Sequence, residues 1–422
     1  MKQLRFIHTA DWHADSDPKK QQKLEASLGQ IVDYCKEVKV NAIIHAGDVW
    51  EKSQKYQQNS GVPLVLKYLH QLSKLVDFIF ITKGNNSHDE PGSIELLHQI
   101  EPNVYAYEYP VVLCVQSLLD DEHSLSVIDL LRVEFNKLLF ESDYIVSLVP
   151  YPTKASLLID DSIDNNNANF LDKFEQIFEH IGEVTSPYHC PKLMGAHLNV
   201  QGSRLSTGQT LVSQDIMVAP STLEKAKHDY YALGHIHLRQ FFKHNMGYSG
   251  SIYNKSWGET EQKSFQVIEF ELGGEDHPLL DETMWERRIN QVMLTAARPM
   301  MTIEAYYDTD IDDFHFTSID PNNNPFENPV KSFEIRFRCK VKENDRNLIT
   351  DDKIQKLKDH FGDDVKIEFN IIPTERESRS EKIMNCKTLL DEVTEYAAVI
   401  EQPINGSVEE KVMQLQEKGV KV

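Results

Sequence analysis

Five times in this chain a short apolar run ends at once in residues of metal-ligand type: HTADWHAD (8–15), HAGDVWE (45–51), KGNNSHDE (83–90), GAHLNV (195–200) and YYALGHIH (230–237). Such runs read as strands, and the first three alternate with helical spacing at 20–38 (Leu24, Leu28, Ile31, Val32, Cys35) and at 62–75. Strands without a polar face, alternating with helices, require an α/β sheet covered on both sides. Further strands are expected at 144–152, 192–200, 230–237 and 264–272, a loop at 162–168 and a helix at 169–182. Strand ends in such a sheet converge on one edge, where α/β folds place their sites. That edge should gather Asp11, His13, Asp48, Asn85, His88, His197, His235 and His237.

Taken singly, the pieces are ordinary. An Asp-x-His at a strand end is usually a solvated turn, and Gly-Asp is a common turn or cap. Their repetition, each time after a strand, points to one shared site. The glycines ahead of the ligands (Gly47, Gly84, Gly195, Gly234) permit tight turns and close backbone approach. Asp11/His13 and His235/His237 are spaced i, i+2, so in an extended chain both members of a pair face the same way. Carboxylate, amide and imidazole ligands without thiolate suit hard to borderline divalent ions, Mn²⁺ first, then Fe²⁺ or Zn²⁺. One carboxylate between two ligand sets can bridge two ions about 3.5–4 Å apart, an arrangement suited to in-line attack of water on phosphorus. His8, His45 and His98 read as structural instead, and Lys83, Arg204, Arg239 and Lys255 as ordinary surface charges.

With 44 basic and 66 acidic residues the chain carries a net charge of −22. That field repels nucleic acid at long range, so a DNA-acting chain would need a metal centre, a local basic patch or a basic partner. The five cysteines are scattered and never in a CxxC pair, which reads as reduced thiols and not as a disulfide framework or zinc site. No apolar run approaches the roughly 20 residues of a membrane span, and the first residues enter a strand directly; a soluble, cytoplasmic protein without a membrane is expected. A length of 422 residues exceeds one hydrophobic core, and three domains are read: 1–275, 280–373 and 376–422. GGEDHP (273–278) serves as the first linker. The middle part alternates strictly at SFEIRFRCKV (332–341) and VKIEFNI (365–371), around a helix capped by Thr350. The last part reads as a helical hairpin, with Leu389, Leu390, Val393, Tyr396, Ala397 and Ile400 on one stripe and a Ser407/Glu410 capping box opening the second helix.

At these residues the chain resembles a known family. The order Asp-x-His, Gly-Asp, Gly-Asn…His-Asp, Gly-x-His and Gly-His-x-His is that of calcineurin-like metallophosphoesterases. HTADWHAD, AGDVWEK, DYYALGHIHLRQ and, above all, GYSGSIYNKSWGETEQKSFQVIEFE (247–271) resemble the SbcD branch, nuclease subunits of double-strand-break repair complexes. The resemblance implies a β-sandwich flanked by helices, a small α+β capping domain that binds DNA, and a C-terminal helical hairpin. It implies that Asp11, His13 and His237 hold one ion, that Asn85, His197 and His235 hold the other, and that Asp48 bridges them. His88 would then be the catalytic histidine near the scissile phosphate. Two divalent ions, preferably Mn²⁺, are the implied cofactors. The implied partners are DNA and an SbcC-type coiled-coil ATPase bound by the hairpin at 386–417. The implied assembly is a heterotetramer containing a homodimer, for which 62–75 is a candidate contact.

The chain departs from the family in one place. Where Gly-Asn-His-Asp is expected, Asn86 and Ser87 separate Asn85 from His88. Anchoring on the strand keeps Asn85 as the ligand, with Asn86 as fallback; anchoring on His-Asp would put Ser87, a poor ligand, in its place. Three functions therefore compete. The first is a metal-dependent DNA nuclease, acting as an exonuclease on double-stranded ends and as an endonuclease, in DNA repair, recombination and replication. The second is a nucleotide or phosphoprotein phosphoesterase of the same fold. The third is a non-catalytic dimeric scaffold for the ATPase.

Overall fold

The computed structural model describes residues 3–52, 61–117, 123–130, 142–153, 167–206, 216–273, 285–296, 298–318, 333–373, 386–402 and 404–417. Two compact units result, Met1–Thr302 with Asn322–Arg336, and Ile303–Pro321 with Phe337–Val422. The first runs through β1 (Gln3–Thr9), α1 (Pro18–Glu37), β2 (Val40–His45), α2 (Val62–Ser73), β3 (Val76–Thr82) and β4 (Val104–Tyr107). It continues with β5 (Val111–Ser117), β6 (His123–Asp129), β7 (Tyr144–Val149), α3 (Asn167–Thr185) and β8 (Lys192–His197). Then come β9 (Asn199–Val200), β10 (Met217–Val218), β11 (Tyr230–Gly234), β12 (Gln240–Lys243), β13 (Met246–Tyr248), β14 (Ser264–Leu272) and β15 (Trp285–Met293).

These strands form a six-stranded sheet, β15-β14-β1-β2-β3-β4, and a seven-stranded one, β12-β13-β11-β8-β7-β5-β6. The apolar alternation explains how they stack. Leu4, Phe6, Ala42, Ile44, Phe78 and Phe80 of the first sheet meet Leu113, Val146, Leu148, Leu193 and Ala232 of the second in one buried core. The intervening residues Ile7, Ile43, Ile79 and Ile81 point the other way, against Leu24, Leu28 and Ile31 of α1 and Leu69 and Leu72 of α2. On the far face of the second sheet, Ile145, Met194 and Leu233 pack against Phe174 and Phe178 of α3. The result is a helix–sheet–sheet–helix sandwich, so strands in both inner layers need apolar residues on both faces. Asp17 caps α1, its carboxylate accepting from the backbone N–H groups of Lys19 and Lys20.

The expected boundary at 275 lies inside this unit. β15 pairs with β14 along its whole length, from Ser264 opposite Met293 to Leu272 opposite Trp285. Residues 274–284, which cover most of the expected linker, lie outside the described residues, as do 162–166 of the expected loop; Asn167 and Ala168 already open α3.

The last elements are β16 (Met300–Asp308), β17 (Asp313–Ser318), β18 (Glu334–Lys342), α4 (Asp351–Phe361), β19 (Lys366–Ile372), α5 (Leu389–Val399) and α6 (Gly406–Glu417). A four-stranded sheet, β17-β16-β18-β19, buries Ile335, Phe337, Cys339 and Val341 on one face, with the Phe337 and Phe361 rings 6.2 Å apart. Thr350 occupies the N-cap position of α4 as expected, without a side-chain cap bond; the other capping expectation is corrected. The helix at the C-terminus starts before Ser407, and its cap is Asn405, whose side-chain oxygen accepts from the N–H of Val408 and from the Ser407 hydroxyl. All five cysteines are free. Among the described residues no helix is long and apolar enough to cross a membrane.

Candidate metal centre

The centre is built by loops laced to one another. After β1 and β2 the two chains run side by side, with Asp11 N–H donating to Gly47 O (2.9 Å), His13 N–H to Asp48 O (3.1 Å) and Ala14 N–H to Val49 O (2.8 Å). The loop after β3 is tied in by Asp89, a buried carboxylate that accepts from the N–H groups of Asp48 (3.0 Å), Trp50 (3.1 Å) and Gly84 (2.7 Å). The backbone here is not extended, which corrects the i, i+2 argument. Asp11, His13, Asp48 and His235 have φ of 53°, 44°, 57° and 108°. Left-handed backbone at non-glycine residues costs on the order of 1–3 kcal/mol each and is held by the surrounding bonds. The glycine expectation holds at its sharpest point: a Cβ on Gly84 would lie 1.9 Å from Asp48 Oδ1.

Two of the three ligand-type clusters among the described residues are made of the expected metal ligands alone. Asp11, His13 and His237 form one, with His13 Nε2 2.9 Å from His237 Nε2 and 4.0 Å from Asp11 Oδ1. Asp48, His197 and His235 form the other. Here Asn85 Oδ1 lies 2.9 Å from His197 Nε2 and 3.3 Å from His235 Nδ1. Asp48 spans both, with Oδ1 3.3 Å from His197 Nε2 and Oδ2 3.8 Å from His13 Nε2. His88 stands beside them, its ring 4.6 Å from that of His13 and its Nε2 3.9 Å from Asp48 Oδ2. All eight sequence-derived candidates thus meet in one place.

The donor set fits divalent cations. His197 donates from Nδ1 to Ala46 O (2.7 Å) and His237 from Nδ1 to Glu259 Oε1 (3.1 Å). A ring whose Nδ1 carries the proton turns a bare Nε2 lone pair inward, the tautomer a metal ligand requires. Two such nitrogens 2.9 Å apart, as in His13 and His237, suit a shared cation. Burial opposes charge at Asp48, yet the adjacent His197 holds its carboxyl down at about 2; the same pair lifts His197 to about 9 against its own burial. A cation between these groups is therefore favoured already when it is only a proton.

The altered loop resolves simply. The Asn85 carbonyl accepts from the N–H groups of both His88 (3.0 Å) and Asp89 (2.7 Å), so the two added residues close a single turn. Asn85 stays at the cluster, while the Asn86 side chain accepts a bond from Lys83 Nζ. Lys83 is buried, 5 % exposed, and Lys255 pairs with Glu51 at 2.6 Å, so neither is the ordinary surface charge expected. Arg204 is exposed. His8 is structural as expected: it bonds Tyr230 Oη and the Leu233 carbonyl, and burial lowers its pKa to about 3. His45 is buried against the Trp12 ring and accepts from Gly47 N–H. His98 lies edge-on to Tyr105.

Sequence reasoning missed Glu51, Asp89 and Glu259. Glu259 binds His237 and Lys263, which hold its carboxyl well below the usual range despite burial. Tyr253 donates to the His13 carbonyl (2.9 Å) and Lys263 Nζ to the His237 carbonyl (3.1 Å). The stretch 247–271 therefore stands behind the centre and fixes its histidines.

A family model for calcineurin-like phosphoesterases matches residues 4–239. The chain belongs to this family. The matched region takes in every candidate site residue, and the phosphoesterase is accordingly metal-dependent, a hydrolase with a mixed α/β fold. One solved crystal structure aligns over 69% of this chain and 99% of its own at 8% identity, with a TM-score of 0.36. Comparison with curated proteins gives no match.

Proposed function

We infer that this phosphoesterase is a DNA nuclease that uses two Mn²⁺ ions and works as the nuclease subunit of an SbcCD-like repair complex. The observation that supports it most is the pair of clusters spanned by the two oxygens of Asp48. Two divalent ions in these clusters would supply phosphate binding and an acidified water. The chain's own part is orientation and proton handling. Asp11, His13 and His237 would hold one ion, and Asn85, His197 and His235 the other, with Asp48 common to both. His88 donates from Nδ1 to the Glu51 carbonyl (2.6 Å), which turns Nε2 towards the centre; with a second proton on Nε2, as an imidazolium, it would donate to the leaving oxygen or to the charge on phosphorus.

Preference for DNA rests on the SbcD-like stretch 247–271, whose Tyr253, Glu259 and Lys263 support His13 and His237. The ATPase partner rests on the terminal hairpin. Tyr396 (51 %), Ile400 (39 %), Met413 (52 %) and Leu415 (43 %) leave apolar surface exposed on α5 and α6, which a coiled-coil root would cover. The deciding experiment gives the purified chain Mn²⁺ with linear duplex DNA, with free nucleotides and with a phosphopeptide. Cleavage of DNA ends is expected. Turnover of nucleotides or phosphopeptide without DNA cleavage would overturn the nuclease reading, and bound Mn²⁺ with no turnover of any substrate would favour the scaffold.

A further inference from the structure

His13 is fully buried and faces the centre through Nε2, so its other ring nitrogen must be managed by the protein. Among the described residues no regularly aligned hydrogen bond reaches His13 Nδ1; Glu51 Oε2 lies 3.2 Å from it. Two ammonium groups flank that carboxylate, Lys255 Nζ at 2.6 Å from Oε2 and Lys20 Nζ at 3.6 Å from Oε1. Lys20 is itself held by Asp15 at 2.7 Å. The backbone carbonyl of the same Glu51 receives the Nδ1 proton of His88.

The geometry points to Glu51 as the positioning residue that sets the working tautomer of His13, with Lys255 as the charge that holds Glu51 in place. This rests on the two-ion reading above and adds to it a residue in the loop after β2 that sits between two histidines with different roles. With its proton on Nδ1, facing the carboxylate, His13 presents the Nε2 lone pair to Asp11 and His237. The Nδ1 proton of His88 is held by a backbone carbonyl, independently of the Glu51 side chain. The same three groups, His13, Glu51 and His88, are also close enough to be considered as ligands of a further ion. That reading is the weaker one. His13 would have to bind cations through both ring nitrogens, and His88 Nδ1 is already committed to a carbonyl. A carboxylate on the outer nitrogen of a ligating imidazole typically changes metal affinity by about 10–100-fold.

The test is Mn²⁺ binding by calorimetry to the full chain and to Glu51→Gln, Lys255→Met and Lys255→Arg, with thermal unfolding of each. Wild type should bind two ions. Glu51→Gln keeps the shape and an acceptor oxygen but removes the charge, so one of the two sites should weaken about tenfold or more while the other is unchanged. Lys255→Met should weaken the same site less, and Lys255→Arg should restore it. Lys255→Met carries the test alone if Glu51→Gln does not fold. Wild-type isotherms for Glu51→Gln and Lys255→Met would overturn the assignment, as would a third ion bound by wild type and lost in Glu51→Gln. Failure of the nuclease reading would show instead as two ions bound by wild type without DNA cleavage, and leaves these isotherms unaffected.

Discussion

At the scale of single residues, the ligand types were legible because they are rare directly after apolar strands, and all eight converge. What holds them was not. Glu51, Asp89 and Glu259 belong to a residue type common on any surface, and their partners lie far off in sequence: Glu259 is 22 residues from His237, and Asp89 is 41 from Asp48. Nor does residue type announce a left-handed backbone at Asp11, His13 or Asp48. Two predictions belong here. His88→Ala should lower the cleavage rate about 10²–10⁴-fold while two Mn²⁺ ions still bind; unchanged cleavage would show that another group handles the leaving oxygen. Gly84→Ala forces a methyl group against Asp48 Oδ1, so Mn²⁺ affinity should fall about tenfold or more, read by calorimetry.

At the scale of elements, the periodic signals were sound and the boundaries less so. Buried strands such as Phe78–Ile81 announce themselves because both faces are apolar, and α1 buries the stripe its spacing gives. The edge strands β6 and β15 did not. The residues of β15 alternate largely between half-buried and exposed and those of β6 are half-buried nearly throughout, as on a sheet margin, and β15 is rich in charge, so nothing in the chain marks it as part of the first unit. The cap of α6 lies two residues before the one its sequence suggests: Ser407 and Asn405 are both good caps, and Asn405 is the one whose side chain accepts from the Val408 N–H. Asn405→Ala should therefore cost α6 about 1 kcal/mol, and Ser407→Ala should cost clearly less, as measured by hydrogen exchange along 406–417. Asp17→Ala, which removes a cap bonded to two N–H groups, should cost about 1 kcal/mol of global stability in a denaturant titration.

At the scale of the whole molecule, the charge of −22 and the metal centre have to be reconciled. The acidic field repels DNA, while the centre, buried among laced loops, offers the concentrated positive charge that a phosphate needs once ions are bound. A chain ending at residue 373 should keep Mn²⁺-dependent cleavage and lose binding to the proposed ATPase partner; equal binding would refute the role proposed for α5 and α6. The two-ion reading needs less than this assembly: one carboxylate, Asp48, has to serve two ions, with Asn85 and not Asn86 completing the second set. A crystal of the chain soaked in Mn²⁺, with an anomalous difference map at the manganese edge, tests it most directly. Two peaks about 3.5–4 Å apart on either side of the Asp48 carboxylate, with Asn85 on the peak beside His197 and His235, is the predicted result. A single peak, or two peaks with Asp48 bound to only one of them, would contradict it.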